Sequence, residues 1–322
     1  MGGYRFLYVA DVHGSETAYN KTVNAAKFYK VKDVVIGGDL TGKLLVPIID
    51  LKNGKYSLDF FGQNKVIDSS QLAEHQKQIR MSGYYYAVMT KEEYDECAAD
   101  KSRVQGLFIQ AMIDTLKQFF IKAEQKLGPE GGKLYVIPGN DDYKEVAQFV
   151  QSYESNVVVP YEERVIEFGN GHQLVGLGYS NPTPWNSPRE ISDQEIYERL
   201  KRMVSGMDAK RTVLVVHPPP YGTIIDKAPQ LKDFKPVISG GEVQMQSVGS
   251  VSVRKIEEEF EPVVGLHGHI HESGGVDYLR GVGSGRKIPV FNSGSEYNAG
   301  FLRGILIDLD GDKIKNHIFT RG

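Results

Sequence analysis

Residues 133–143, KLYVIPGNDDY, change character within one step. The apolar run Leu134–Ile137 reads as a buried strand, closed by Pro138, Gly139, Asn140 and two adjacent carboxylates, Asp141 and Asp142. Turn chemistry explains the composition, because these residues either fix backbone angles or bond their own backbone. It does not explain the recurrence. YRFLYVA (4–10) runs into Asp11 and His13, DVVIGG (33–38) into Asp39, RTVLVV (211–216) into His217, and EPVVGL (261–266) into the HGHIH that carries His269 and His271.

Asp11, His13, Asp39, Asn140, His217, His269 and His271 thus all follow apolar strands closely, at the edge where open sheets bind ligands. Each offers oxygen or imidazole and none offers thiolate, a set that suits Mn, Fe, Zn or Ni. Seven donors exceed what one ion needs. Residues i and i+2 of an extended chain share a side, which pairs Asp11 with His13 and His269 with His271. Glycines at 14, 37, 38, 139 and 268 allow the backbone to turn and approach closely.

The surrounding pattern is α/β. The first 42 residues read as strand, helix (Thr17–Tyr29) and strand, a βαβ unit. At about 43–105 the pattern breaks into an insertion, a β-hairpin at Asn53-Gly54 plus a helix at 69–82, read as a cap or contact surface through which copies could associate. A single helical run is expected from Glu92 to Lys126, opened by the Thr90/Glu93 capping box, with Phe108, Met112, Leu116, Phe119 and Phe120 as its core stripe. Helices are expected at 144–152, after the Ser192/Glu195 capping box, and at 251–260. Strands are expected near 163–168 and 172–178, and late antiparallel strands turn at Asp310-Gly311. With no repeat and no linker, residues 1–322 read as one domain.

Composition narrows the function. The 38 basic and 41 acidic residues leave a net charge of -3, so no broad surface for nucleic acid or an anionic membrane is expected. The sole cysteine, Cys97, rules out an internal disulfide and a cysteine metal cluster. With no signal-peptide pattern and no run approaching the ~20 apolar residues of a membrane span, a cytoplasmic location is expected. Phe6 stands where an acylation signal needs Ser or Thr, so Gly2 is expected to be unmodified.

DVHG, GGDLTG, GNDD, VVHPPP and GHIH together resemble the five motifs of the calcineurin-like metallophosphoesterases, across nearly all of the chain outside 43–105. More narrowly, GLGYSNPTPW, HPPPYGTIID, VGSVSVR and LHGHIHES are similar to the Icc-related predicted phosphoesterase branch. The resemblance implies a four-layer αββα sandwich of two mixed sheets flanked by helices. It implies one divalent ion on Asp11, His13 and His271, a second on Asn140, His217 and His269, and Asp39 bridging them. The implied activity is hydrolysis of a small phosphoester or nucleotide by attack of a metal-bridging hydroxide, for which two divalent ions are suited. Asp39 and Asp141 are the candidate catalytic carboxylates, with manganese among the candidate metals. Asp142 is expected to orient a ligand histidine through its other ring nitrogen, and His267 to support the pair from behind. Ser250, before the helix at 251–260, and Trp185, in the Pro-rich loop, are candidate substrate contacts, although a helix cap and loop packing serve equally well.

One position departs from the family. Most members carry His where this chain has Asp141, and that His is the candidate acid for the leaving oxygen. An aspartate beside two dications is held ionised and would be a poor acid. Two divalent ions, two aspartates and one hydroxide leave a single positive charge, which Asp141 cancels; a phosphodiester is therefore expected to be favoured over a monoester. A serine/threonine phosphatase is disfavoured because LTGKLL after Asp39 lacks that branch's arginine, and a nuclease because no basic channel is evident. The alternative from another class is a catalytically silent scaffold that keeps the fold and binds a partner.

Overall fold

A computed structural model describes residues 3–322; the expectation for Gly2 lies outside them. Strand Tyr4–Val9 sits within a six-stranded mixed sheet in the order Lys313–Arg321, Arg303–Asp310, Tyr4–Val9, Asp33–Gly37, Leu134–Ile137, Val158–Pro160. The first two of these strands are antiparallel additions, and the other four run parallel. A second six-stranded sheet follows the order Gly275–Arg280, Lys287–Asn292, Val264–His267, Thr212–Val216, His172–Leu177, Ile166–Phe168, antiparallel at both edges and parallel between.

Alternation along the strands builds the layers. Phe6 and Tyr8 face the second sheet and pack in one buried cluster with Tyr135, Phe168, Leu174, Val213 and Leu266. Leu7 and Val9 face the other way, into a cluster with Val23, Leu116, Phe120 and Val146 of the covering helices Glu16–Tyr29, Lys101–Leu127 and Lys144–Ser152. On the far side, Val175, Leu177, Leu214 and Val216 meet Ile196 and Leu200 of helix Asp193–Val204 and Val253 and Ile256 of helix Val251–Phe260. Each such side chain contributes roughly 1.5–3 kcal/mol by leaving water. The four-layer αββα sandwich is therefore realised.

Two expectations are corrected. The helical run from Glu92 to Lys126 is two helices, Lys91–Ala99 and Lys101–Leu127. Asp100 separates them in an extended conformation and caps the second by accepting from Ser102 N, a preference of Asp that outweighs helical continuity. The insertion holds more than a hairpin and a helix. Gln63–Asp68, Lys55–Phe60, Leu45–Asp50 and Tyr85–Thr90 form a separate four-stranded sheet, with Val46, Ile48, Leu58, Ile67 and Ile79 as its own small core. A further stretch, 227–247, folds into three two-stranded ribbons. Their two- and three-residue strands carry no alternation long enough to read.

No helix among the described residues is long and apolar enough to cross a membrane.

Candidate metal centre

The parallel strands of both sheets end on one side, and the seven donors emerge there. Asp11, His13, Asp39 and His269 all adopt positive φ, at 55°, 42°, 50° and 67°. Such left-handed conformations cost of order 1–3 kcal/mol in residues with side chains and cluster at functional sites. Here they turn each chain sharply at the strand end. Close approach needs the glycines: a Cβ at Gly139 would lie 2.1 Å from both the amide nitrogen and Oδ1 of Asp39, and one at Gly268 would lie 2.5 Å from Asp11 Oδ2.

Asp39 stands at the middle with two oxygens facing different histidines. Oδ2 lies 3.5 Å from His13 Nε2, and Oδ1 lies 3.4 Å from His217 Nε2. Asp11 Oδ1 is 3.6 Å from His271 Nε2 and 3.8 Å from His217 Nε2. The Nε2 atoms of His13 and His271 approach to 3.0 Å, and His269 Nδ1 faces Asn140 Oδ1 at 2.8 Å. Ligand atoms of Asp11, His13, Asp39 and His271 all lie within 4.8 Å of one another.

These donors fit metal ions. His13 Nδ1 donates to the Thr41 carbonyl at 3.2 Å and His217 Nδ1 to the Gly37 carbonyl at 2.8 Å. In the neutral imidazoles those bonds leave each Nε2 as the lone-pair nitrogen, the usual second-sphere device for a metal-binding histidine. His217 Nε2 is buried without a hydrogen-bond partner while two carboxylates face it. A proton or a cation is required there. Burial pushes the His13 and His269 imidazoles down to about 4, keeping them neutral. Burial acts the same way on His217, but Asp39 and Asp11 overcome it and raise the group to about 9.

Asp142 does not orient a histidine. Its buried carboxylate accepts from the backbone of Leu40 (3.0 Å), Thr41 (2.8 Å) and Gly139 (2.7 Å) and from Thr41 Oγ1 (2.6 Å). It therefore ties the Asp39 loop to the Asn140 loop. Desolvation and the nearby Asp39 push it up to about 6. His267 is buried, donates Nδ1–H to the Val216 carbonyl at 2.7 Å and faces Glu257 at 3.2 Å, behind the ligand pair.

Two contributors were not anticipated. Lys43 places Nζ 2.5 Å from Asp141 Oδ2, while Asp141 Oδ1 accepts from Ser187 Oγ at 2.7 Å and Asn140 Nδ2 at 3.1 Å. Burial would lower the Lys43 ammonium, but Asp141 and Asp39 hold it above the ordinary lysine range. The positive charge that Asp141 cancels is thus restored by Lys43. Arg189, buried among other elements, donates Nη1 to the Gly139 carbonyl at 3.0 Å and its backbone N–H to the Asn140 carbonyl at 3.0 Å. Its Nη2 pairs with buried Glu162 at 2.5 Å. A cation directly after a strand-end motif, as Lys43 is after GGDLTG, was a usable signal; Arg189, in a distant loop, left none.

A cavity of about 770 Å³ opens from Asp39, Lys43, Asn140, Asp141, His269 and His271. Trp185 lines it. Lys43 is the one lining residue from 43–105, so the rest of the insertion stands away from the cavity walls. Ser250 is corrected as a substrate contact: its buried hydroxyl accepts from Val253 N and donates to Asp193, which leaves it a helix cap.

No family model matches this sequence. Over 149 residues the chain is 36% identical to the uncharacterized protein MJ1162 of Methanocaldococcus jannaschii, a match covering 46% of this chain and 60% of that protein. The chain thus spans less than two thirds of the curated relative it matches. A solved crystal structure aligns over 99% of both chains with 18% identity and a TM-score of 0.58. TT1561 of Thermus thermophilus aligns over 100% of this chain and 99% of its own, with 13% identity and a TM-score of 0.52. At such identities the likeness is one of fold.

Proposed function

We propose that this chain is a two-metal phosphoesterase. The observation that carries the reading is Asp39, whose two oxygens face histidines from opposite sides, His13 at 3.5 Å and His217 at 3.4 Å. Asp11, His13 and His271 would hold one divalent ion, and Asn140, His217 and His269 the other, with Asp39 between them. Such ions supply an activated water at neutral pH and stabilise the attacking and leaving oxygens at phosphorus. Manganese, iron, zinc and nickel all suit the donors.

The chain's own residues supply the rest. Lys43, beside both Asp39 and Asp141, is placed to neutralise a non-bridging phosphate oxygen. Asp141 holds Lys43 and, by accepting from the Asn140 amide, turns Asn140 Oδ1 toward His269. It is a positioning residue rather than an acid. A diester is favoured over a monoester, now for a different reason: beyond Lys43 the cavity walls carry Asp193 and Glu272 and no further Lys or Arg. A monoanionic diester needs less positive charge than a dianionic monoester.

The test compares Mn²⁺-loaded wild type with Asp39→Asn on bis-p-nitrophenyl phosphate and p-nitrophenyl phosphate. Turnover lost in the variant, and greater on the diester, is expected. Equal turnover by both proteins would refute the bridging role, and monoester preference at all pH would refute the substrate preference.

A further inference from the structure

The cavity continues well past the metal ligands, and its far part differs chemically from its near part. The near end carries Asp39, Lys43, Asn140, Asp141, His269 and His271. The far end lies between the Pro-rich loop and the ribbons of 227–247, walled by Pro182, Trp185, Tyr221, Leu231, Pro236 and Val251. Trp185 is 64% exposed, yet its ring is steadied by Phe234 of the ribbons, with centroids 5.4 Å apart. A large aromatic surface held open beside a polar site is ready to cover another ring.

Charge on these walls excludes a second anionic group. The N-terminus of helix Val251–Phe260 borders the cavity and would ordinarily attract phosphate. Asp193 already fills that role: its Oδ2 accepts from Ser252 N at 3.0 Å, and its Oδ1 accepts from the Ser250 hydroxyl. Glu272 adds another carboxylate to the wall, and among the described lining residues Lys43 is the lone Lys or Arg. A diphosphate or a nucleic-acid backbone leaving the metal ligands by this route would meet carboxylates with no compensating cation.

We propose that the ester arm of the substrate lying along this cavity is an uncharged, planar, ring-bearing group stacked on Trp185, attached to a single phosphorus. This rests on the two-metal reading above, since that reading sets where phosphorus sits. The shared chemistry, a flat uncharged ring, covers both an aryl group and a nucleobase.

The chain has one tryptophan, so its emission reports on Trp185 alone. The experiment titrates Zn²⁺-loaded protein with methylphosphonate, benzylphosphonate, octylphosphonate and thymidine 5′-methylphosphonate, reading affinity by calorimetry and Trp185 by fluorescence. Benzylphosphonate is expected to bind about 10- to 100-fold more tightly than methylphosphonate, with a change in tryptophan emission that methylphosphonate does not produce. In Trp185→Ala the ratio of those affinities should collapse to within threefold, and Trp185→Phe should recover most of it. Tighter binding by the thymidine compound than by benzylphosphonate identifies the ring as a base, and the reverse order as an aryl group. Equal affinities for methyl- and benzylphosphonate, or octylphosphonate binding best, would overturn the ring-stacking arm. Failure of methylphosphonate itself to bind would instead overturn the two-metal reading, and this inference with it.

Discussion

Lys43 Nζ lies 2.5 Å from Asp141 Oδ2, so the first carboxylate after Asn140 is paired with a cation from the loop that follows Asp39. The pair is interdependent. Asp141 also takes hydrogen bonds from Ser187 and Asn140, which fixes the carboxylate and, through it, the ammonium.

Lys43→Met should lower kcat/KM by roughly 100-fold, the scale of losing one positioned electrostatic donor. Asp141→Asn should cost less, and the double variant should cost about as much as Lys43→Met alone, because both changes act on one ammonium group. Steady-state kinetics on an aryl diester measures all three; additive losses would mean that the residues act independently.

Arg189→Leu should destabilise the fold by about 3–5 kcal/mol, because it strands the buried carboxylate of Glu162. The double variant Arg189→Leu/Glu162→Leu should recover a large part of that loss. Urea denaturation of the metal-free proteins gives both values.

Asp142→Ala removes the acceptor for three backbone N–H groups and one hydroxyl at the junction of two motif loops. Each buried donor left without a partner costs about 1–3 kcal/mol. Metal affinity should fall together with stability, since the same loops carry Asp39 and Asn140. Loss of stability at unchanged metal affinity would separate the two roles.

Metal uptake should release a proton from His217. In the metal-free protein its pKa is raised to about 9, so its protonated form stabilises that fold fully below its unfolded pKa of about 6.5. This contribution is lost as pH rises through about 9. A metal must displace the same proton, so affinity between pH 7 and 8 should rise about tenfold per unit for this one group. Calorimetry in two buffers of different ionisation enthalpy counts the protons; zero release would place His217 outside the ligand set.

Much of this was legible in the sequence because each strand end declares itself. Apolar runs such as Leu134–Ile137 and Thr212–Val216 are buried throughout and reach a donor within three residues, which gives strand, edge and chemistry in one reading. The helix caps Thr90, Ser192 and Ser250 were legible too, since the cap bond is local. What escaped depends on contacts between distant residues. Arg189 meets Gly139 across 50 residues of chain, and Lys43 meets Asp141 across the insertion. The ribbons of 227–247 escaped because strands of two or three residues show no periodicity. The left-handed backbone at Asp11, His13, Asp39 and His269 has only a weak signature in residue type, the enrichment of Asp and His at positive φ.

The most direct test of the two-metal centre is to load the protein with Mn²⁺, count the metal per chain by elemental analysis and record the electron paramagnetic resonance spectrum. Two ions per chain with an exchange-coupled signal, reduced to uncoupled ions in Asp39→Asn, is the expected result. One uncoupled ion per chain in the wild type, or a coupled signal that survives Asp39→Asn, would contradict a centre bridged by Asp39.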